Sequence, residues 1–317
     1  MEKLANKIPI WAVNLITVVS GIITIITAFV GLGNLININD KQPYHWVYII
    51  VIFALLFVVF IFFLQIRKYR QASSARLKVT SFNYHKLTHN CRDIYFDTMH
   101  NHKTKKENIT TLTEGIKQNC SVILDNLCEL MNDYTGQEVN ACIKLVSYIN
   151  DDEDVVSENM QDITLSTLCR SHNSSTERGN YEEKRPIKLV DNTDFLDIID
   201  NVNGSTKNYF YKGNLKEYDQ QLKNAGKSYC NTHLNWERFY IGTIVVPIQI
   251  QFRRLYYTQK NNACHVIGFL CVDSLSPNAF DDKQENFNVD TVKSYADLLY
   301  ILLGQYKYYL KKINESS

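Results

Sequence analysis

The sequence lacks the short motifs by which many enzymes are recognised. It contains no G-x-x-x-x-G-K-[ST] phosphate loop, no H-E-x-x-H zinc helix and no G-x-S-x-G nucleophile turn. The chain also stops soon after its last predicted helix, so we expect no kinase, cyclase or phosphodiesterase module behind it. These absences predict a protein without catalysis and without a cofactor. An active site assembled from distant residues is the alternative.

Paired cysteines and a strong net charge are missing as well. None of the 8 cysteines has C-x-x-C zinc spacing, so free thiols in a reducing cytosol are expected. The formal net charge of +1 argues against a nucleic-acid partner held by bulk electrostatics. His85, His89 and Cys91 share one short stretch, but no second cluster completes a set of four ligands. The sequence therefore predicts no metal site, with zinc binding by this cluster as the alternative.

Two long apolar runs near the N-terminus, residues 8–32 and 46–66, are the most prominent feature that is present. Neither run contains a charged side chain, and each has at least the roughly 20 residues that cross a bilayer as a helix. The second run follows the first closely, which is untypical of a cleaved secretory signal. The pattern predicts a transmembrane helical hairpin.

The distribution of Lys and Arg predicts how that hairpin is oriented. Between the runs, Asp40 and Lys41 are the full charges, whereas Arg67, Lys68 and Arg70 follow the second run. Segments rich in Lys and Arg remain on the cytoplasmic side of a membrane. We therefore expect a two-pass protein of the inner (cell) membrane, with both termini in the cytoplasm and the lipid bilayer as a partner.

The chain after the second run divides into a helical linker and a larger domain. Residues 67–102 contain no proline and no glycine, which favours one long helix. Its loose apolar stripe between Leu77 and Tyr95 predicts packing against a second copy, as a homodimer or higher oligomer. The expected boundaries are a hairpin at 1–67, a juxtamembrane helical linker at 68–107 and a sensory domain at 108–313.

Within the larger domain, the apolar residues alternate between helical and strand periodicity. Helical spacing predicts helices at 108–136, 191–202 and 282–312, with Gly136 as the C-cap of the first. Alternation of apolar and polar residues predicts strands at 139–149, 163–168, 240–257 and 264–273. The polar stretch at 171–185 predicts a surface loop. The domain is therefore expected to be α+β, with helices bracketing an antiparallel sheet.

The C-terminal third resembles the end of a GAF domain. The likeness lies in IVVPI at 244–248, HVIGFLCVDS at 265–274, AFD at 279–281 and YADL at 295–298. Similar segments follow one another at about this spacing in that family. These are packing and turn residues, so the resemblance supports a fold more than a function. The complete expectation is two N-terminal transmembrane helices, a long juxtamembrane helix, and an α+β GAF-like domain with an antiparallel sheet.

The resemblance also implies a pocket, because GAF domains are sensing modules. Its wall would come from residues 195–218 and 229–240, which are rich in aromatic and amide side chains. The candidate ligand-binding residues are Tyr209, Tyr211, Asn214, Tyr218, His233, Trp236, Tyr240 and Asp273. Such groups suit a flat heterocycle, so a small-molecule partner is expected, with a nucleotide second messenger as a candidate. The Asn-Lys half of the family's cyclic-nucleotide signature is absent, and ordinary packing is the alternative role for each ring.

Two functions remain open from the sequence. In the first, a messenger bound to the GAF-like domain acts through the membrane helices, as in an effector of bacterial signalling or antiviral defence. In the second, the helices are a passive tether and the GAF-like domain binds a regulatory protein partner.

Overall fold

The structure is a computed structural model. It describes residue 21 and residues 45–104, 109–148, 163–174, 186–202, 208–232, 235–251, 264–277 and 279–315. The chain divides into two compact units, Met1–Leu77 and Lys78–Ser317. The three boundaries expected from the sequence remain predictions.

Helix α1, His45–Thr104, is 60 residues long and contains the division between the two units. Within the first unit, its large apolar side chains are exposed; they include Phe53, Leu56, Phe57, Val59, Phe60, Phe63 and Leu64. The second apolar run is thus the first part of a longer helix that continues without a break into Arg67 and Lys68. The first run lies outside the described residues, except for Gly21.

The structure corrects the transmembrane prediction. Across the described residues, no helix combines the length and the apolar character needed to cross a membrane. The membrane-protein class and the two-pass inner-membrane location, from which the topology of the termini was deduced, are therefore wrong. The prediction counted apolar residues within the run alone, whereas the structure includes the run in one helix of 60 residues.

The second unit is built on a six-stranded antiparallel sheet with the strand order β3-β2-β1-β6-β5-β4. The strands are β1 Asn140–Tyr148, β2 Ile163–Arg170, β3 Ile187–Lys188, β4 Phe210–Lys212, β5 Gly242–Gln251 and β6 Cys264–Ser274. The first and last long strands lie side by side at the centre, and β5 follows β6 on its outer side. The predicted antiparallel pairing of the last two strands is confirmed.

In the described part of this unit, four α-helices of ten residues or more follow or separate the strands. They are α2 Ile109–Thr135, α3 Thr193–Val202, α4 Leu215–Asn224 and α5 Glu285–Glu315. Helix α2 ends as predicted at Gly136, which has φ of 65° and donates its N–H to the carbonyl of Asn132. Asn214 begins α4, because its side chain accepts hydrogen bonds from the N–H groups of Lys216 and Glu217.

One face of the sheet packs against helices and forms the larger core. Along β6, Leu270 and Val272 point to this face, and along β5 so do Ile244 and Val246. The opposing side chains come from α2, α5 and the second-unit part of α1, which contributes Leu87. Alternation along each strand sends every second apolar side chain here. The predicted α+β domain with an antiparallel sheet is confirmed.

The opposite face of the sheet forms a smaller core with α3 and the segment before β5. Phe269 and Cys271 of β6 point to this face, and the ring of Phe195 from α3 lies 4.8 Å from the ring of Phe269. Successive residues of a strand therefore serve different cores. The second core differs from the first because polar side chains interrupt it.

A glycine at the centre of the sheet permits close strand packing. A Cβ atom on Gly268 would lie 2.5 Å from the carbonyl oxygen of Lys144 in β1. Gly268 also pairs with Ile248, where the register of β5 shifts. Because the obstructing atom belongs to the backbone, an added methyl group must push the strands apart.

We therefore expect Gly268→Ala to lower the free energy of unfolding by about 1–3 kcal/mol. Gly115→Ala is the matched control, since Gly115 lies at an exposed position of α2 with nothing within 4 Å of a new Cβ. The control should raise stability by roughly 0.5–1 kcal/mol, because alanine favours helix. Urea unfolding of the full chain measures both. Equal stability of the two variants would contradict the close packing.

Candidate functional site

A cavity of about 30 Å³ lies on the sheet face that α3 covers. Its floor comes from neighbouring strands: Cys142 and Lys144 of β1, Cys271 and Asp273 of β6, and Thr243 and Val245 of β5. Its roof comes from Asn192, Asp194, Phe195, Asn231 and Tyr240, with Ile187 at one side. The lining therefore mixes charged, amide, hydroxyl and thiol groups on an otherwise apolar face.

Asp194, in the first turn of α3, is the most strongly perturbed carboxyl group of the cavity. Its side chain is 6% exposed. Burial raises the pKa of Asp194 to about 7, although the N–H of Phe195, which donates to Oδ1 at 3.0 Å, and the nearby Lys144 both act to lower it. The nearby Asp273, like burial, raises the pKa of Asp194. The carboxyl group therefore changes charge near neutral pH.

Asp273, the second carboxyl group, is held by the sheet. The hydroxyl of Thr243 donates to Oδ1 of Asp273 at 2.6 Å, and the two residues are register partners on β5 and β6. Thr243 is 1% exposed and Asp273 7% exposed. A hydroxyl donor stabilises a buried carboxylate by a charge-assisted hydrogen bond. The pair gives the cavity a fixed acceptor on its floor.

Amide side chains organise the roof. Asn192 donates through Nδ2 to the carbonyl of Lys188 and to the hydroxyl of Thr232, and its Oδ1 accepts from the backbone N–H of Thr232. This joins the start of α3 to the segment before β5. Nδ2 of Asn231 donates to the hydroxyl of Tyr240 at 2.5 Å. The roof is therefore held by side-chain hydrogen bonds as well as by apolar packing.

Aromatic rings form a layer behind Tyr240. Trp236 lies 5.9 Å from the ring of Tyr240 and 5.3 Å from that of Tyr229, measured between centroids. Tyr229 continues the layer to Phe210 and Tyr218. Burial, followed by the nearby Asp194, raises the pKa of Tyr229 well above its ordinary value. The layer supports the roof and keeps Tyr229 a neutral phenol.

The structure places two of the predicted site residues, Tyr240 and Asp273, at the cavity. Trp236 and Tyr218 belong to the aromatic layer, where Lys212 lies 4.1 Å above the ring of Tyr218. His233 lies outside the described residues. Ligand binding by any of these side chains remains a prediction.

The other predicted site residues lie away from the cavity. Tyr211 faces the larger core, where its hydroxyl donates to the carbonyl of Asp281 and accepts from Asn288. The hydroxyl of Tyr209 donates to Glu285 of α5. Asn214 is the N-cap of α4. Ligand binding by these three side chains also remains a prediction.

The histidine cluster in α1 has local partners. The rings of His85 and His89 lie 4.3 Å apart, and Arg92 contacts Nδ1 of His89 at 2.9 Å. In the described ranges, no three side chains of His, Cys, Asp or Glu are grouped to hold a metal ion.

Sequence reasoning missed most of the polar cavity lining, namely Lys144, Asn192, Asp194, Asn231 and Thr243 as site residues. None of these five is among the site residues that the sequence predicts. The signal that was available is the interruption of apolar strand positions by charged side chains, at Lys144 and Asp273. Their convergence depends on β1 lying beside β6, which the local sequence does not reveal.

No family model matches the chain, and no curated protein matches it. Solved structures do resemble it in fold. They include a type II free methionine-R-sulfoxide reductase from Thermoplasma acidophilum, at 14% identity and TM-score 0.34, covering 60% of this chain and 96% of that one. They also include the GAF domain of an Acinetobacter phosphoenolpyruvate-protein phosphotransferase, at 14% identity and TM-score 0.32, covering 67% and 90%.

A third structure of similar fold is a GAF domain/HD domain protein from Geobacter sulfurreducens, at 10% identity and TM-score 0.34, covering 62% of this chain and 99% of that one. The chain is therefore similar in fold to GAF domains. These likenesses assign no activity at such identities. They give no support to nucleotide binding or to a role in antiviral defence.

The expectation that the chain is not an enzyme is corrected by the same comparison. Enzymes stand among the structures of similar fold, the free methionine-R-sulfoxide reductases of Thermoplasma acidophilum and Neisseria meningitidis. The expectation rested on missing short motifs. Catalytic residues can also be assembled from distant parts of a chain, so missing motifs alone are no ground for that exclusion.

Proposed function

We propose that the chain is a small-molecule sensor of GAF-like fold whose ligand binds in the cavity beneath α3. The observation that carries the proposal is the grouping of Lys144, Asp194 and Asp273 around a cavity in an otherwise apolar face. Charged groups are costly to bury unless they meet partners. Their convergence in a concave, partly apolar site is typical of ligand recognition.

The charges favour a ligand that carries a protonated amino group. Two carboxyl groups face one ammonium group in the cavity, and Tyr240 and Asn231 add polar contacts. A bound cation favours the ionised form of Asp194 and so compensates for the burial that disfavours it. A cavity of about 30 Å³ accommodates a group of a few heavy atoms. An amino group with a short substituent fits this space better than a nucleotide base.

The proposal predicts that small primary amines stabilise the full chain against heat. A ligand present at about 100 times its dissociation constant adds roughly 2.7 kcal/mol to the free energy of unfolding. A thermal-shift panel of primary amines, amino acids and nucleotides tests it. The affinity for an amine should rise as the pH rises through about 7, because Asp194 then ionises.

Two variants locate the binding. Asp194→Asn removes the ionisable group but retains an oxygen that accepts from Phe195, so it should abolish the amine response. Asp197→Asn is the matched control, because Asp197 is an exposed residue of the same helix away from the cavity lining. It should respond as the unaltered chain does. An amine response that persists in Asp194→Asn, or a response to nucleotides alone, would contradict the proposed ligand class.

A further inference from the structure

Two cysteines lie directly opposite each other on neighbouring strands and line the cavity. Cys142 of β1 is the register partner of Cys271 of β6. Both are free thiols, at 2% and 4% exposure. Opposed residues of an antiparallel pair have Cα atoms about 4.5–5.5 Å apart, and a disulfide requires about 4.4–6.8 Å. The sheet therefore holds the two residues at a separation that a disulfide can span.

The surroundings make the two thiols chemically unequal. The thiol of Cys271 donates a hydrogen bond to the sulfur of Cys142, and this bond lowers the pKa of Cys142. Burial opposes that effect, while Arg170 and Lys144 reinforce it. The same hydrogen bond, together with burial, raises the pKa of Cys271. The pair thus provides a sulfur that favours the thiolate form beside a sulfur that retains its proton.

The positive charge beside Cys142 comes from a neighbouring strand and from its own strand. Arg170 is the register partner of Cys142 on β2, and Lys144 lies two residues further along β1. Arg170 is 3% exposed, so its charge acts on the thiol with little screening by water. Thiolates next to buried cations are the reactive form of cysteine. The site therefore combines a nucleophile with a neighbouring second thiol.

Other cysteines of the described chain have different surroundings. Burial raises the pKa of Cys128 to about 12. Cys120 and Cys169 are hydrogen-bonded to each other in the larger core, where burial contributes to raising the pKa of Cys169. Cys230 is exposed. None of these four lines the cavity.

We propose that Cys142 and Cys271 are a redox-active dithiol, which a small hydroperoxide entering the cavity oxidises to a disulfide. The volume of about 30 Å³ is enough for a molecule the size of two waters, such as hydrogen peroxide. This is a second function of the cavity, independent of an amine ligand. It gives the domain a response to oxidants that requires no cofactor.

The reaction is balanced in two steps. The Cys142 thiolate attacks one peroxide oxygen, the O–O bond breaks, and the leaving hydroxide is protonated to water, which leaves a sulfenic acid on Cys142. The Cys271 sulfur then loses its proton and attacks the Cys142 sulfur, and the S–O bond breaks with release of a second water. Two thiols lose two electrons and two protons, and the peroxide is reduced to two waters.

Mass spectrometry of the reduced full chain after treatment with equimolar hydrogen peroxide tests the proposal. The chain should lose the mass of two hydrogen atoms. The thiols that remain are then alkylated under denaturing conditions. Cleavage after Glu and Lys releases residues 139–144, in which Cys142 is the sole cysteine. We expect this peptide to be disulfide-linked to the peptide containing Cys271, with fragmentation separating Cys271 from Cys264.

Single substitutions distinguish the two roles. In Cys271→Ser, the sulfenic acid on Cys142 should persist and be trapped by dimedone, because the second thiol is absent. In Cys142→Ser, the rate of peroxide consumption should fall about tenfold or more, because the favoured thiolate is absent. Cys128→Ser is the matched control, a buried cysteine outside the cavity, and it should react at the unaltered rate. Circular dichroism checks that each variant is folded.

Three results would overturn the proposal. The first is a disulfide that joins Cys120 and Cys169 while Cys142 remains reduced. The second is oxidation of the exposed Cys230 before Cys142. The third is an unchanged rate of peroxide consumption in folded Cys142→Ser.

Discussion

The Asp194→Asn variant is expected to gain stability relative to the unaltered chain as the pH rises from about 4 to about 8. Burial raises the pKa of Asp194 from 3.8 in the unfolded chain to about 7 in the folded one. A group with a raised folded pKa contributes stability below its unfolded pKa, and that contribution is lost as the pH rises through the folded value. The loss should therefore extend across the window between these two values.

The expected size of this change follows from the shift. One pKa unit corresponds to about 1.4 kcal/mol, so the difference between variant and unaltered chain should move by roughly 2–4 kcal/mol in favour of the variant. Asparagine remains neutral and retains an acceptor for the N–H of Phe195. Urea unfolding of both proteins at intervals between pH 4 and pH 8 measures the difference.

The charged neighbours of Asp194 define the control for this experiment. Lys144 on β1 lowers the pKa of Asp194, and Asp273 on β6 raises it, so both are left unaltered. Asp197→Asn changes an exposed carboxyl group of the same helix. Its stability relative to the unaltered chain should change little over this pH range. A pH-independent difference for Asp194→Asn would show that its carboxyl group is not strongly perturbed.

The Phe269→Ala variant is expected to lose about 3–5 kcal/mol of unfolding free energy, the range for truncation of a buried phenylalanine. Phe269 is 0% exposed and lies at the centre of β6, between Lys144 of β1 and Pro247 of β5. Its ring packs 4.8 Å from that of Phe195 in α3. The substitution therefore removes both a core side chain and the contact that holds α3 over the cavity.

Phe287→Ala provides the matched truncation. Phe287 lies on α5 with 44% exposure and contacts the ring of Tyr134 at 4.6 Å. Folding removes less apolar area from water at Phe287 than at Phe269, so the loss should be about 1 kcal/mol. Urea unfolding gives both values. Equal losses in the two variants would contradict the position of Phe269 in the core beneath α3.

Much of the local structure could be predicted from periodicity. The strand expected at 264–273 is observed as Cys264–Ser274, and the helix expected at 282–312 as Glu285–Glu315. These elements have long, regular apolar patterns. Helix α4, Leu215–Asn224, was not predicted, because its residues Lys216, Glu217 and Asp219 leave little apolar pattern to detect.

The candidate site could be predicted only in part, because it depends on contacts between distant residues. Tyr240 and Asp273 were proposed as site residues and line the cavity. Cys142 and Cys271 are 129 positions apart in sequence numbering and meet only because the first and last long strands pair. Local alternation shows that a strand has two faces, but it does not show which strand lies beside it.

The membrane prediction failed for a different reason, because it relied on local composition alone. The prediction rested on a count of consecutive apolar residues in 46–66. The structure includes that run in a helix extending to Thr104, and no helix of the described ranges meets the requirements for a membrane span. A count of apolar residues alone therefore did not establish a membrane span.

Hydrogen exchange of the full chain with methylammonium chloride, compared with sodium chloride at equal ionic strength, tests the central claim most directly. If the cavity beneath α3 is the ligand site, exchange should slow in peptides from β1, the start of α3, and the central strand β6. The protection should disappear in Asp194→Asn and persist in Asp197→Asn. Protection confined to α2 and α5, on the opposite face of the sheet, or the same protection in Asp194→Asn, would contradict the account.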